Sequence, residues 1–330
     1  MIFAMIVDNL LPRLGVAIDS HFVEDVDSIA QAMSDGLQGE YVQLESKSFR
    51  GRWTSVRLAS LVIQFGTQDA AVVQRLRVPA DRCAFMVPLH VPAGARWNGH
   101  AVRADDIVVC PARTECLAFD PPSTKFAILT VPVGTPLARA LRQVLSNTAG
   151  PLASACGSDG LSLRDRLARL RDLVESGHVV TPFEIEVDVM TRLRSCVEQA
   201  ASAPREGART STRSRIVRRA EDFFRSHVSE GVSVMQLSSV AGVSERSLRN
   251  AFYDVYTTSP KRYLKLWQLH QVRHALRSGR DGEATVTDVA TCHGFYELGR
   301  FAGAYKSLFG ETPSETLSRA RHQRGIRGAA

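Results

Sequence analysis

An internal repeat near the end of the chain limits its fold more than any other feature. The first copy runs from Ser233 through Gly242, Ser244, Leu248 and Phe252 to Ser259-Pro260. The second runs from Thr285 through Gly294, Phe301 and Tyr305 to Thr312-Pro313. The copies are offset by 52 residues at their glycines and by 53 beyond them. Each opens with the spacing of a capping box, Ser233-x-x-Gln236 and Thr285-x-x-Asp288, in which the first side chain accepts from the backbone N–H three residues on. About two helical turns later each copy reaches a glycine, where the chain can reverse with positive φ. A second helix is predicted beyond it, anchored by apolar residues four apart, Leu248 with Phe252 and Phe301 with Tyr305. Two helices across a glycine turn form a helix-turn-helix, whose second helix fits a major groove. Such hairpins also serve as plain packing units, so the surroundings of the repeat decide between the two uses.

Charge favours the groove. Residues 213–330 carry 19 Lys+Arg against 11 Asp+Glu, a net of +8, while residues 1–212 carry 22 against 23, a net of −1. A basic domain attached to a neutral one is the electrostatic footprint of a polyanion binder. The spacer between the copies has a matching length. Pro260 opens a predicted helix to about Ser278, just before Gly279, and roughly 20 residues span ~30 Å. That approaches the ~34 Å of one DNA turn, so two recognition helices in one chain can address successive major grooves.

At these residues the chain resembles the AraC/XylS family of bacterial transcription regulators, over about residues 213–320. His293-Gly294-Phe295, Gly299-Arg300-Phe301 and Tyr305-Lys306, with Phe309-Gly310 and Pro313-Ser314, resemble the second signature of that family. Ser259-Pro260-Lys261-Arg262-Tyr263-Leu264 resembles the start of its linking helix. The resemblance implies two helix-turn-helix units joined by a long helix, and an N-terminal half that senses a small molecule or mediates dimerisation, often a cupin-like β-barrel followed by helices. Two residues depart from the family pattern. Thr257 stands where a helix-ending glycine is usual, the counterpart of Gly310, and a β-branched residue is costly in a left-handed cap. Gln268 stands where an arginine is common, which removes one expected polar contact.

With Leu248 and Phe252 facing the core, Arg246, Ser247, Arg249 and Asn250 fall on the outer face of the first recognition helix. Arginine pairs with guanine and asparagine with adenine in the major groove, and by position these residues match the base readers of the family. The alternative is a solvated polar face. The matching surface of the second unit, Leu298, Gly299, Ala302 and Gly303, offers no hydrogen bonds to base edges. Arg300 and Lys306 lie beside it as phosphate ligands, although Arg300 serves equally as an ion-pair residue.

The remainder of the chain is less specific. Residues 22–35 are predicted as a short helix. From Tyr41 to Val133 short β-rich runs follow, among them 53–65, 72–78, 83–91, 107–110 and 125–131, broken by prolines and by Asn98-Gly99. This spacing suggests an antiparallel sandwich or barrel. After Pro136 the period turns helical, with stripes at Leu137, Leu141, Val144 and Leu145 and at Leu163, Leu167, Leu170 and Val174. The second stripe is core or a dimer face. Thr181-Pro182 opens a third helix. The fold class is thus α+β, with a cupin-like antiparallel β-barrel and appended helices ahead of an all-α domain of two helix-turn-helix units. Its expected parts are a sensor at 1–135, a helical dimerisation segment at 136–200, a linker at 201–212, the DNA-binding domain at 213–320 and a tail at 321–330.

His90 and His100 lack the His-x-His and glutamate neighbourhood of a metal cupin, so no metal or other cofactor is expected. Phe85, Trp97, Phe119 and Phe126 read as core, some of them as candidate pocket lining. No catalytic triad, P-loop or G-x-G-x-x-G is present, and six scattered cysteines without a C-x-x-C pair read as reduced thiols. No apolar run approaches the ~20 residues of a membrane span, and Met1–Val7 lacks the basic flank of a secretory signal. The sequence therefore predicts a cytoplasmic regulator, nucleoid-associated when bound, that is not an enzyme. Its expected partners are double-stranded DNA, RNA polymerase, an unknown effector and a second copy of itself, with no membrane. A constitutive regulator whose first half only dimerises, and a cupin-type enzyme fused to a DNA-binding domain, remain as alternatives.

Overall fold

The computed structural model describes residues 17–327 apart from 34–36, 47, 146–151, 179–180, 203–207 and 279–284. Met1–Val7 lies outside the described residues. The chain divides into two compact units, one comprising Met1–Tyr41 with Phe49–Ser211 and the other Val42–Ser48 with Thr212–Ala330.

The first unit is a sandwich of two antiparallel sheets. Its larger sheet runs β1 (Ala17–Val23), β3 (Gly51–Arg57), β4 (Val62–Gln68), β11 (Lys125–Pro132), β6 (Arg82–His90), β9 (Asp106–Cys110) and β12 (Leu152–Ala155). The smaller runs β2 (Gln38–Gln43), β5 (Val72–Arg77), β10 (Glu115–Asp120), β7 (Arg96–Trp97) and β8 (His100–Ala101). Asn98 at φ 51° and Gly99 at φ 81° form the two-residue turn that closes the β7–β8 hairpin. The Asn98 side chain accepts from the Leu117 backbone N–H at 3.0 Å, which pins the hairpin to β10.

Side chains on a strand alternate between faces, and here both faces of the large sheet are covered. Phe126 and Ile128 of β11, with Ala84 and Met86 of β6, point between the sheets. Ala127, Leu129 and Val131, with Phe85 and Val87, point the other way against helices. These are α2 (Pro136–Leu145), α3 (Gly157–Glu175) and α4 (Pro182–Ser202). Two-sided burial explains why β11 and β6 read as nearly continuous apolar runs. Each fully buried Leu or Phe contributes about 1.5–3 kcal/mol, so the two layers dominate the stability of this unit.

Several expectations change in this unit. Residues 22–35 are not one helix: β1 extends to Val23, and α1 spans only Asp27–Ala32. The run 53–65 is two strands, because Leu58 donates to Leu61 at 2.8 Å and reverses the chain between β3 and β4. The segment 136–200 is not wholly helical, since β12 returns to pair with β9 at the sheet edge. Leu163, Leu167, Leu170 and Val174 are buried against the large sheet, so this stripe is core and is not available as a dimer face. Leu137 and Leu141 are buried too, while the side chains of Val144 and Leu145 lie outside the described residues. The stretch 201–212 is not irregular throughout, for helix α5 (Ala208–Ser226) begins inside it. Its Ala-Arg-Thr-Ser-Thr start is only moderately unfavourable to helix, and the periodic Ile216–Phe224 run extends the helix backwards.

Candidate nucleic-acid interface

From Thr212 on, the second unit is built of helices, and its local geometry follows from caps. The first helix-turn-helix is α6 (Val234–Ala241) and α7 (Glu245–Tyr256). The second is α9 (Val286–Cys292) and α10 (Leu298–Phe309), joined to the first by α8 (Pro260–Ser278) and followed by α11 (Pro313–Arg327). Ser233 and Gln236 form a reciprocal capping box: Gln236 N–H donates to Ser233 Oγ at 3.2 Å and Ser233 N–H to Gln236 Oε1 at 2.8 Å. Thr285 and Asp288 repeat it at 3.2 and 2.9 Å. Hydrogen bonds from the Thr285 hydroxyl and backbone hold the Asp288 carboxyl below the usual range.

The turn glycines differ in what they require. Gly242 has φ 71° and open space where a Cβ would stand. Gly294 has φ 81°, and a Cβ there would lie 2.5 Å from the Val228 carbonyl oxygen and 3.0 Å from Gln268 Nε2. Gln268, the residue that replaces the expected arginine, donates from that same nitrogen to the His293 carbonyl at 2.9 Å. A compact amide thus joins the linking helix to the second turn. Thr257 also deserves its place on local grounds: it adopts φ 54°, the left-handed cap, with its hydroxyl donating to the Tyr256 carbonyl at 2.8 Å. The first unit therefore ends as a glycine-capped helix would, at the cost of a β-branched residue in that region.

Aromatic packing fixes the buried face of each recognition helix. Phe252 lies 5.8 Å from Tyr263 and 6.1 Å from Tyr256, ring to ring, and Leu248 and Val255 are fully buried beside them. The Tyr256 hydroxyl donates to buried Glu221 at 3.0 Å, and burial together with that carboxylate pushes its phenol well above the usual range. In the second unit Phe301 lies 4.9 Å from Phe295 and 5.7 Å from Tyr305. Arg273 and Arg319 converge on Glu311 at 3.2 and 2.9 Å, an ion-pair cluster that joins α8 to α11 and that sequence spacing did not reveal.

The opposite faces are exposed. Arg246, Ser247, Arg249 and Asn250 all reach solvent on the first two turns of α7. Ser247 also takes part in the cap, its backbone N–H donating to Ser244 Oγ at 3.2 Å. Arg249 donates to Glu245 at 2.5 Å one turn back. Exposed pairs of this kind are worth a few tenths of a kcal/mol, so the guanidinium is free to exchange partners. Tyr253 continues the same stripe and is 55% exposed; its spacing of three from Asn250 and four from Arg249 is the signal that sequence reasoning passed over.

On α10, Leu298, Gly299, Arg300, Gly303 and Lys306 are exposed and Ala302 half-buried. A Cβ added at Gly299 or Gly303 meets no heavy atom within 4 Å, so both glycines stand on an open face. Arg300 pairs with Glu297 at 2.6 Å, both well exposed. The first helix thus presents groups that can donate and accept at base edges. The second presents a smooth surface flanked by two cations. Among the described residues there is no cluster of three or more His, Cys, Asp or Glu placed to hold a metal, and no helix is long and apolar enough to cross a membrane.

Comparison with known proteins bears on the same residues. A helix-turn-helix domain family model matches residues 237–319. A probable thc operon regulatory protein of Rhodococcus erythropolis is 39% identical over 102 residues, 31% of this chain and 31% of the relative. A XylDLEGF operon transcriptional activator of Pseudomonas putida is 34% identical over 105 residues, 32% of this chain and 33% of the relative. The match therefore spans about a third of these relatives. The crystal structure of a probable AraC family transcriptional regulator from Rhodopseudomonas palustris CGA009 is 35% identical, over 32% of this chain and 97% of that one, with a TM-score of 0.30.

Proposed function

We propose that this chain, whose C-terminal domain matches a helix-turn-helix family model and is similar to curated transcription regulators, is a sequence-specific DNA-binding regulator of the AraC/XylS kind whose N-terminal sandwich answers to a small molecule. The observation that carries this reading is the pair of recognition helices. Two capped helix-turn-helix units in one basic domain expose α7 and α10 outward, and α7 does so with Arg246, Ser247, Arg249 and Asn250. Arg249 suits bidentate contact with guanine and Asn250 with adenine, while Arg246 serves either a base or a phosphate. Leu298, Gly299 and Ala302 let α10 approach closely, with Arg300 and Lys306 on phosphates.

The regulator acts on promoter DNA in the cytoplasm, associated with the nucleoid, as a homodimer that touches RNA polymerase and activates transcription. It performs no chemistry of its own in this reading. Selection of binding sites from a randomised duplex library by the full-length protein tests it. Recovery of a shared sequence supports the reading, and sequence-independent recovery overturns it.

A further inference from the structure

The layer between the two sheets of the N-terminal unit holds polar groups without partners. Trp53, Gln64 and Gln68 line it from β3 and β4, and Gln74, Trp97 and Asp120 from β5, β7 and β10. All six are buried. Trp97 Nε1 donates to Asp120 at 2.9 Å, and the Gln74 amide donates to the other carboxylate oxygen. Gln64 donates to Ser55 at 3.3 Å. Among the described residues nothing bonds to Trp53 Nε1, Gln64 Oε1, Gln74 Oε1 or either amide atom of Gln68. Strand register sets Trp53 opposite Gly66, between Gln64 and Gln68 on the same face, and the facing sheet stands ~10 Å away.

Buried polar atoms are almost always satisfied by protein, water or a ligand, and each orphan is costly. Several in one layer are too many for a structural accident. Their balance defines what would satisfy them. Trp53 Nε1 and Gln68 Nε2 are donors; the Gln64, Gln68 and Gln74 carbonyls are acceptors. A carboxylate ligand only accepts, which leaves the carbonyls unmatched. An ammonium only donates, which leaves the indole and amide N–H unmatched. A hydroxyl or carboxamide does both.

We propose that this layer binds an uncharged small molecule bearing several hydroxyl or carboxamide groups, held by Trp53, Gln64, Gln68 and Gln74. The inference rests on the reading of this unit as the effector domain. It also sets Gln68 apart from a structural residue, because deleting an unpaired buried amide relieves its desolvation.

Thermal unfolding of the full-length protein tests this against four panels: neutral sugars and polyols, carboxamides and ureas, primary amines, and benzoate with decanoate. At about 100-fold excess over Kd, a sugar, polyol, carboxamide or urea raises Tm by roughly 5–10 °C. Which of the first two panels acts decides between hydroxyl and carboxamide. Gln68→Leu abolishes that shift while holding or raising the unliganded Tm, and Trp53→Phe, which removes the indole N–H together with part of the ring, weakens it. No shift from either neutral panel overturns the proposal, as does a shift from the amines or carboxylates alone, or a shift that survives both substitutions. Operator occupancy, measured by fluorescence anisotropy with and without the bound compound, separates the two readings. Binding that leaves occupancy unchanged keeps the site but refutes its role as an effector site.

Discussion

Arg249 and Glu245 stand one turn apart on the first recognition helix, joined by a 2.5 Å ion pair on its exposed face. The pair orders the guanidinium along the helix in free protein and is weak enough to open when a better partner arrives. A guanine edge is such a partner, because it accepts two hydrogen bonds in the fork geometry of arginine. Arg249→Ala should therefore flatten sequence preference more than it weakens non-specific binding, with discrimination falling by ~1–3 kcal/mol at one position. Competition binding with cognate and scrambled duplexes measures both, and an unchanged preference removes Arg249 from the base-reading set.

The two recognition helices should contribute unequally. Beside Arg246, Arg249 and Asn250 on α7, α10 offers Leu298, Gly299, Ala302 and Gly303. A selected library should show, for each protomer, one sharply specified block and a second, about one helical turn away, that responds mainly to A·T content and groove shape. Two equally sharp blocks would show that α10 reads bases by other contacts.

Binding should weaken steeply with salt, because the net positive charge lies in residues 213–330. Each phosphate neutralised contributes about 0.9 to the slope of log K against log salt on duplex DNA. Lys306→Ala should lower that slope by about one and leave the selected sequence unchanged. A slope indifferent to Lys306 would place it off the backbone.

Gly294→Ala should cost more stability than Gly242→Ala. Both residues have positive φ, worth roughly 1–2 kcal/mol against alanine, but only Gly294 is crowded, by the Val228 carbonyl oxygen 2.5 Å from the added carbon. Denaturant titrations of the two variants compare them directly. Equal losses would mean that α9 and the turn at Val228 move apart at little cost.

Burial holds the Asp120 carboxyl up at about 7, a shift that the Trp97 hydrogen bond only partly offsets. Tyr41 is a titratable group near it, and burial likewise raises its phenol. Between the unfolded carboxyl value near 4 and the folded value near 7, the folded chain keeps a proton that the unfolded chain has lost. Stability of this unit should accordingly fall as pH rises across that window, by on the order of 4 kcal/mol, and level off above it. Asp120→Asn should flatten that dependence. By contrast Glu115, half-buried, is pushed up by burial but held lower overall by Arg77 and Arg75, so its contribution fades as pH falls through its depressed value. Unfolding followed from pH 4 to 8 separates the two; a slope in this window that survives Asp120→Asn would refute the assignment.

What the sequence determined by itself was everything decided within a few residues. Ser233 reaches Gln236 and Thr285 reaches Asp288 three residues away; Gly242 and Gly294 supply their own positive φ; Pro260 starts α8 and Ser278 ends it. The exposure of Arg246, Arg249 and Asn250 follows from Leu248 and Phe252 by helical period alone. Tertiary structure decided the remainder, because it depends on partners far along the chain. Nothing local tells Phe126, which faces the opposite sheet, from Ala127, which faces helices. The Leu163 to Val174 stripe has the same period whether it meets a second copy or its own sheet, and only the return of α3 over β6 and β9 buries it. Gln64, Gln68, Gln74 and Asp120 read as ordinary polar strand residues until two sheets close over them. Removal from water then turns each unpaired atom from a neutral surface group into a costly one.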